Sequence, residues 1–248
     1  MSAFTCSILT WLPPANLWQA FNDSNVMGRS IVLLQILLSI VVWSIMVGKR
    51  RELAEMEALA RRFRQIFDGT GATLDIYLQR HKSDNPIVLV YRAACERLVK
   101  CFPPEERNPL LAREPLTSQP RLDARSLNLV KGTTEQALSE QVMRIERGMN
   151  WLATGATVAP LIGLLGTVWG VMQAFQSMGR TGSALLTDVA PGISAALLTT
   201  VVGLLVAIPS GCGYNLLLGR IRRLTGVLDG FTDELLGRVC CEYQRRED

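Results

Sequence analysis

The sequence predicts an all-α membrane protein: three transmembrane helices with long cytoplasmic helical extensions. Three observations carry this. First, the stretches 30–48, 148–179 and 189–219 contain no Asp, Glu, Lys or Arg. Each is long enough to supply the roughly 20 apolar residues that cross a ~30 Å hydrocarbon core. Second, of 26 Lys and Arg, only Arg29 precedes the first run and only Arg180 lies between the second and third. Third, the segments beside the runs carry apolar seams at three- and four-residue spacing, the mark of amphipathic helices. A soluble domain of 248 residues and 48% hydrophobic content would interrupt its helices with charge, because one face of each meets water.

The charge distribution orients the spans, since Lys and Arg near span ends stay on the cytoplasmic side. Residues 1–25 form an outer, periplasmic N-terminal segment. Its Trp11, Pro13, Pro14, Trp18 and Phe21 suit a short helix at the headgroup level, where tryptophan is favoured. The first transmembrane helix covers 26–48. It is rich in Ile, Leu and Val and poor in small residues, so it reads as peripheral and lipid-facing, close helix contacts favouring Gly, Ala, Ser and Thr.

Residues 49–147 form a cytoplasmic helical domain. Leu53, Met56, Ala60, Phe63 and Phe67 make one seam, ended by Gly69 and Gly71. Ile87, Tyr91, Ala94, Leu98 and Phe102 make a second, opened by Asn85 and Pro86 as cap and first-turn residue. Pro103, Pro104, Pro109, Pro115 and Pro120 predict broken structure through Arg125. A third helix is expected near Thr133, where Thr133 and Gln136 have capping-box spacing. It carries Leu138, Ile145 and Met149 straight into the second transmembrane helix at 148–178. A periplasmic turn follows at 179–188, with Asp188 placed to cap the third transmembrane helix at 189–219. Residues 220–248 are a cytoplasmic C-terminal helix whose seam is Ile221, Leu224, Leu228, Phe231 and Leu235. The seams fit packing within the chain or against a neighbouring copy.

The second and third spans differ from the first in kind. Gly163, Gly166 and Gly170 with Ala156 and Ala159 form a small-residue stripe, as do Gly192, Gly203, Ala196, Thr199 and Ala207. Such stripes let helix backbones approach closely in lipid. Pro160, Pro191 and Pro209 add expected kinks that neighbouring helices accommodate. Counting inward from the outer turn, Thr167 lies about eleven residues deep and Thr200 about twelve, so both sit ~17 Å down. Thr157 and Ser210 match each other nearer the cytoplasm. Thr157, Thr167, Thr199, Thr200 and Ser210 are therefore candidate lining groups, although membrane hydroxyls also bond their own helix.

The charge-free runs 30–48, 148–179 and 189–219 hold no Asp, Glu, His, Lys or Arg, and intramembrane groups of that kind are the usual carriers of proton pathways. Hydroxyls orient water and exchange hydrogen bonds without changing charge near neutral pH. A titrating group for any proton path is therefore expected from a partner. The net charge of +4 follows from topology, and no nucleic-acid partner is expected. Cys6, Cys95, Cys101, Cys212, Cys240 and Cys241 lack metal-ligand spacing, and His81, the only histidine, reads as a surface residue. No nucleophile–base pair or phosphate loop is visible, so an enzyme is not expected. Three spans offer no repeated halves for a solute transporter. A passive membrane scaffold anchoring a complex stays open as a reading of these residues.

The segments LATGATVAPLIGLLGTVWGVMQAF (152–175) and VAPGISAALLTTVVGLLVAIPSGCGYN (189–215) resemble the TolQ/ExbB/MotA family of proton-channel motor subunits, most closely its TolQ and ExbB branches. The plan of one span, a basic cytoplasmic domain and a hairpin is also similar to those branches. The resemblance implies a bacterial inner-membrane protein assembling as a ring-shaped homo-oligomer, a homopentamer, around a dimer of a TolR/ExbD-like single-span protein bearing a membrane aspartate. A TolA/TonB-like partner is implied beyond it. Protons are the implied coupling ion, with no cofactor. The implied function couples the proton motive force to partner movement and powers an outer-envelope process, Tol-Pal-type envelope maintenance and cell division ahead of ExbB-type energised import. Thr167 and Thr200 match family threonines that face the pore. Ala195 departs from the glutamate that many TolQ and ExbB proteins carry at its position, which leaves the partner carboxylate a larger share of the proton path.

Overall fold

A computed structural model describes residue 21 and residues 25–78, 84–107, 121–181 and 186–244 of the chain. Its named helices, in order, are α1 (Val26–Asp68), α2 (Asp75–Leu78), α3 (Pro86–Cys101), α4 (Ala124–Glu146), α5 (Met149–Thr181) and α6 (Leu186–Tyr243). Among the described residues the only β-type pairing is an isolated bridge between Leu122 and Gln244. Helices α1, α5 and α6 each contain a stretch long and apolar enough to cross a membrane. Only a helix satisfies every backbone N–H and C=O within one such segment. Outside the described residues lie Cys6 and the rest of the expected interfacial segment (save residues 21 and 25), His81, Pro109, Pro115 and Pro120. The same holds for 182–185 of the expected turn at 179–188 and for the side chain of Asp188, whose backbone lies inside α6 from its start at Leu186 rather than at the expected cap.

The chain divides into two compact units, one formed by the first 48 residues with 148–216, the other by 49–147 with 217–248. In the second unit the predicted seams are buried, with Leu53, Ile87, Leu98, Leu228 and Leu235 fully enclosed. Phe63 and Phe67 each meet Tyr91 and Phe231 edge-on, with ring centroids 5.0–5.9 Å apart. The alternative left open by the sequence is thereby resolved, because these seams close a core within one chain. Arg220 makes a two-pronged ion pair with Glu57 at 2.8 and 3.1 Å, and its guanidinium holds the Glu57 carboxyl below the usual carboxylate range. Arg107 donates to the carbonyls of Val99, Lys100 and Phe102, so it covers the acceptors orphaned at the end of α3. Burial pushes the Cys95 thiol up to about 12.

Asn85 caps α3, its side chain accepting from the Ile87 N–H at 3.1 Å, with Pro86 in the first turn. The first span and the following seam form one 43-residue helix, α1; Lys and Arg are good helix formers, so the basic residues 49–51 continue the ladder. Two expectations are corrected. Helix α4 begins at Ala124, where the Asp123 carboxylate accepts from the Ser126 N–H at 3.1 Å. Thr133 is mid-helix instead and donates to the Leu129 carbonyl. Nor does α4 run straight into α5, because Gly148 takes a φ of +90°, a left-handed value that interrupts the helix and suits glycine.

The first unit holds the hydrophobic part of α1 with the hairpin helices α5 and α6. One face of α1 is exposed, including Leu33, Leu37 and Ile40, but the other packs into the unit through Ile31, Val32, Gln35 and Val42. A Cβ on Gly155 would lie 2.6 Å from a Val42 methyl, and one on Gly213 would collide with the Met46 sulfur. The peripheral reading of the first span therefore holds for one face only. The small residues that admit α1 belong to α5 and α6, not to α1 itself. Helix α5 continues through Pro160, and α6 through Pro191 and Pro209.

Candidate functional site

The hydroxyls counted to one depth meet. Thr167 Oγ1 on α5 and Thr200 Oγ1 on α6 lie 3.2 Å apart, both half-buried. What brings them together is the glycine stripe of α5. A Cβ on Gly163 would stand 2.8 Å from the Thr199 carbonyl oxygen and 2.9 Å from Thr200 Cα, and one on Gly166 would overlap the Thr199 side chain. A Cβ on Gly170 would lie 2.6 Å from that of Ala196, and one on Gly203 2.7 Å from the Ala159 carbonyl oxygen. Gly192 is looser, its would-be Cβ 3.5 Å from that of Ala174. Backbone-to-backbone approach of this kind is how helices associate where lipid removes the hydrophobic drive.

The polar centre of the contact is the Gly163 carbonyl. Thr199 Oγ1 lies 3.0 Å from it, Thr200 Oγ1 3.1 Å and Thr167 Oγ1 3.4 Å. Each hydroxyl owns a single proton, and two have a closer acceptor. Thr167 reaches the Leu164 carbonyl at 2.7 Å and Thr199 the Ala196 carbonyl at 2.7 Å. Among the described residues Thr200 has no comparable acceptor on its own helix, so its proton goes across to Gly163 or to Thr167.

The other predicted hydroxyls are placed differently. Thr199 and Ser210 are both 1% exposed, and Ser210 donates to the Val206 carbonyl at 2.6 Å. Within one chain these two face the interior of the unit. Thr157 is exposed and donates to the carbonyls of Ala153 and Thr154, both at 3.1 Å. Ser210 abuts Gly155, and among the described residues no bond joins it to Thr157. Ala195 is 5% exposed and lines a cavity of about 20 Å³ with Asn25, Gln173 and Thr199.

Gln35 is a residue the spacing arguments passed over. Its side chain is fully buried, and Nε2 donates to the Thr199 carbonyl at 3.1 Å and reaches that of Ala159 at 3.5 Å. The signal was present, since Gln35 is the only amide in the first charge-free run. A polar side chain that costs free energy in hydrocarbon marks a face turned toward protein.

These features define a class: a multi-pass helical membrane protein with an uncharged, hydroxyl-bearing, closely packed hairpin. Residues 107–229 match the profile of the MotA/TolQ/ExbB proton channel family. The Tol-Pal system protein TolQ of Haemophilus influenzae is 28% identical over 222 residues, covering 88% of this chain and 91% of the relative. Biopolymer transport protein ExbB of Salmonella typhimurium is 28% identical over 223 residues, 89% of this chain and 85% of the relative. The ExbB of Xanthomonas campestris is 44% identical over 80 residues, 32% of each chain. The chain belongs to the MotA/TolQ/ExbB proton channel family.

Proposed function

We propose that this chain is a bacterial inner-membrane subunit that couples the proton motive force to movement of a single-span, TolR/ExbD-like partner. The proposed assembly is a pentameric ring around a dimer of that partner, with the N-terminus periplasmic and the C-terminus cytoplasmic. The output is an outer-envelope process of the Tol-Pal kind or, second, energised import of the ExbB kind. Family membership and the two sets of relatives support the class. The observation that carries the mechanism is the Thr167–Thr200 pair at 3.2 Å in spans whose charge-free runs hold no titratable carboxylate of their own.

A hydroxyl serves a proton path by meeting both forms of a carboxyl group. It accepts from the protonated acid and, after rotation about its C–O bond, donates to the anion. Thr200, with its proton shared between Gly163 and Thr167, is free to do both. Thr157 is a second, exposed hydroxyl on α5, and Thr199 and Ser210 support the wall by packing. A partner aspartate among these groups would be the one that titrates. Each charge moved through the potential releases about 2.3 kcal/mol per 100 mV, enough to bias rotation of a partner helix.

The test replaces hydroxyl by methyl at constant shape. Thr167→Val and Thr200→Val, singly and together, are expected to leave the amount of protein in the membrane unchanged and to lower partner-dependent proton flux, the double variant most. Full flux in the double variant would show that the threonines only pack.

A further inference from the structure

Gln35 lies in the charge-free part of α1, yet its bonds end on the other two membrane helices, at Ala159 of α5 and Thr199 of α6. It gets there through a gap made by glycines. A Cβ on Gly163 would stand 3.3 Å from Gln35 Nε2, and one on Gly203 2.9 Å. Both neighbours are carbonyl oxygens, so only the NH2 end of the amide fits against them and the orientation is fixed by chemistry. The Oε1 end is buried and receives no bond among the described residues. A side chain serving only to fill space at this junction would be apolar, because an amide with an unmet acceptor is costly away from water.

The carbonyl that Gln35 holds is placed to matter. Thr199 C=O and Thr200 N belong to one planar peptide unit, so a bond that fixes this oxygen also fixes the plane from which Thr200 Cα departs. Thr200 then points its hydroxyl at Thr167, 3.2 Å away, and at the Gly163 carbonyl, 3.1 Å away. We propose that Gln35 is a positioning residue for the proton path: by gripping the Thr199 carbonyl from α1, its amide sets the separation of the Thr167 and Thr200 hydroxyls. The first membrane helix is thereby part of the working site. The proposal rests on the reading of those hydroxyls as the groups that meet the partner's carboxyl.

The experiment uses the full-length chain with its partner in native membranes. Thr167→Cys with Thr200→Cys reports the geometry through the rate of disulfide formation, and proton flux in the otherwise unmodified chain reports function. Gln35→Leu removes both bonds at similar volume. The disulfide between the two introduced thiols should form about three- to twenty-fold more slowly, the factor for one interhelical hydrogen bond in lipid, and flux should fall at equal protein levels. Gln35→Glu restores function while its buried carboxyl stays protonated and can donate. Relative to the wild-type profile its flux should fall as pH rises and an anion forms against two carbonyls. Disulfide formation and flux at the unmodified rate in Gln35→Leu overturn the proposal, as does a Gln35→Glu profile that follows wild type. Should Gln35→Leu and Gln35→Met both fail to accumulate, Gln35 is a folding residue and the proposal falls. Full flux in the Thr167→Val, Thr200→Val chain defeats the underlying reading instead, whatever the Gln35 variants do.

Discussion

At the scale of single residues, the site depends on what is missing from α5 as much as on the hydroxyls it carries. The contact opposite Gly163 is backbone, the Thr199 carbonyl and Thr200 Cα, and backbone cannot rotate out of the way as a side chain can. Gly163→Ala is therefore expected to destabilise the protein by about 1–3 kcal/mol, the usual cost of overpacking a closed contact. It should also weaken proton flux by parting the two threonines. Gly230→Ala, on an exposed helical position with open space around its Cβ, should stabilise by about 0.4–1 kcal/mol by restricting the unfolded chain. Thermal unfolding in detergent measures both, and equal effects at the two positions would count against the close approach at Gly163.

At the scale of elements, the sequence reading found the long helices and some joints, such as the Asn85 start of α3 and the end of α1 before Gly69, and misplaced others. Periodicity located the seams because 3.6-residue spacing is a property of many residues at once. A joint depends on one or two residues competing for the same role. Asp123 and Thr133 both carry capping side chains, and only the fold shows that the Asp123 carboxylate takes the Ser126 N–H. Asp123→Ala should accordingly cost about 1 kcal/mol, while Thr133→Ala, which removes only a back-bond to Leu129, should lie near zero. A melt that ranked them the other way would restore the later helix start. Gly148 shows the same limit, since a glycine at the start of a charge-free run is compatible with a continuous helix until its φ of +90° is seen. The threonine pair was legible because depth follows from counting at fixed rise. Gln35 was missed because α1 was judged by its lack of small residues, whereas the glycines that receive it are on the other two helices.

For the whole molecule, orientation is the property that most constrains function, and the cysteines report it. Cys240 and Cys241 are exposed and Cys95 is buried. A membrane-impermeant maleimide should leave Cys240 and Cys241 unmodified in intact spheroplasts and label them once the membrane is opened. Cys95, whose thiol is pushed up to about 12, should resist in both cases until the protein is unfolded, because the thiolate is the reacting form. Labelling of the C-terminal pair from outside would reverse the proposed topology. In the membrane unit the hydroxyl protons have a consequence of their own. When Thr167, Thr199 and Thr200 each give a proton to the nearest backbone carbonyl, at Leu164, Ala196 and Gly163, no donor is left over. The face that Thr167 and Thr200 then present consists of oxygen lone pairs. If these hydroxyls line the proposed path, such a surface would admit a group that brings its own hydrogen and resist its conjugate base until one hydroxyl turns, a check on charge set by which way three O–H bonds point.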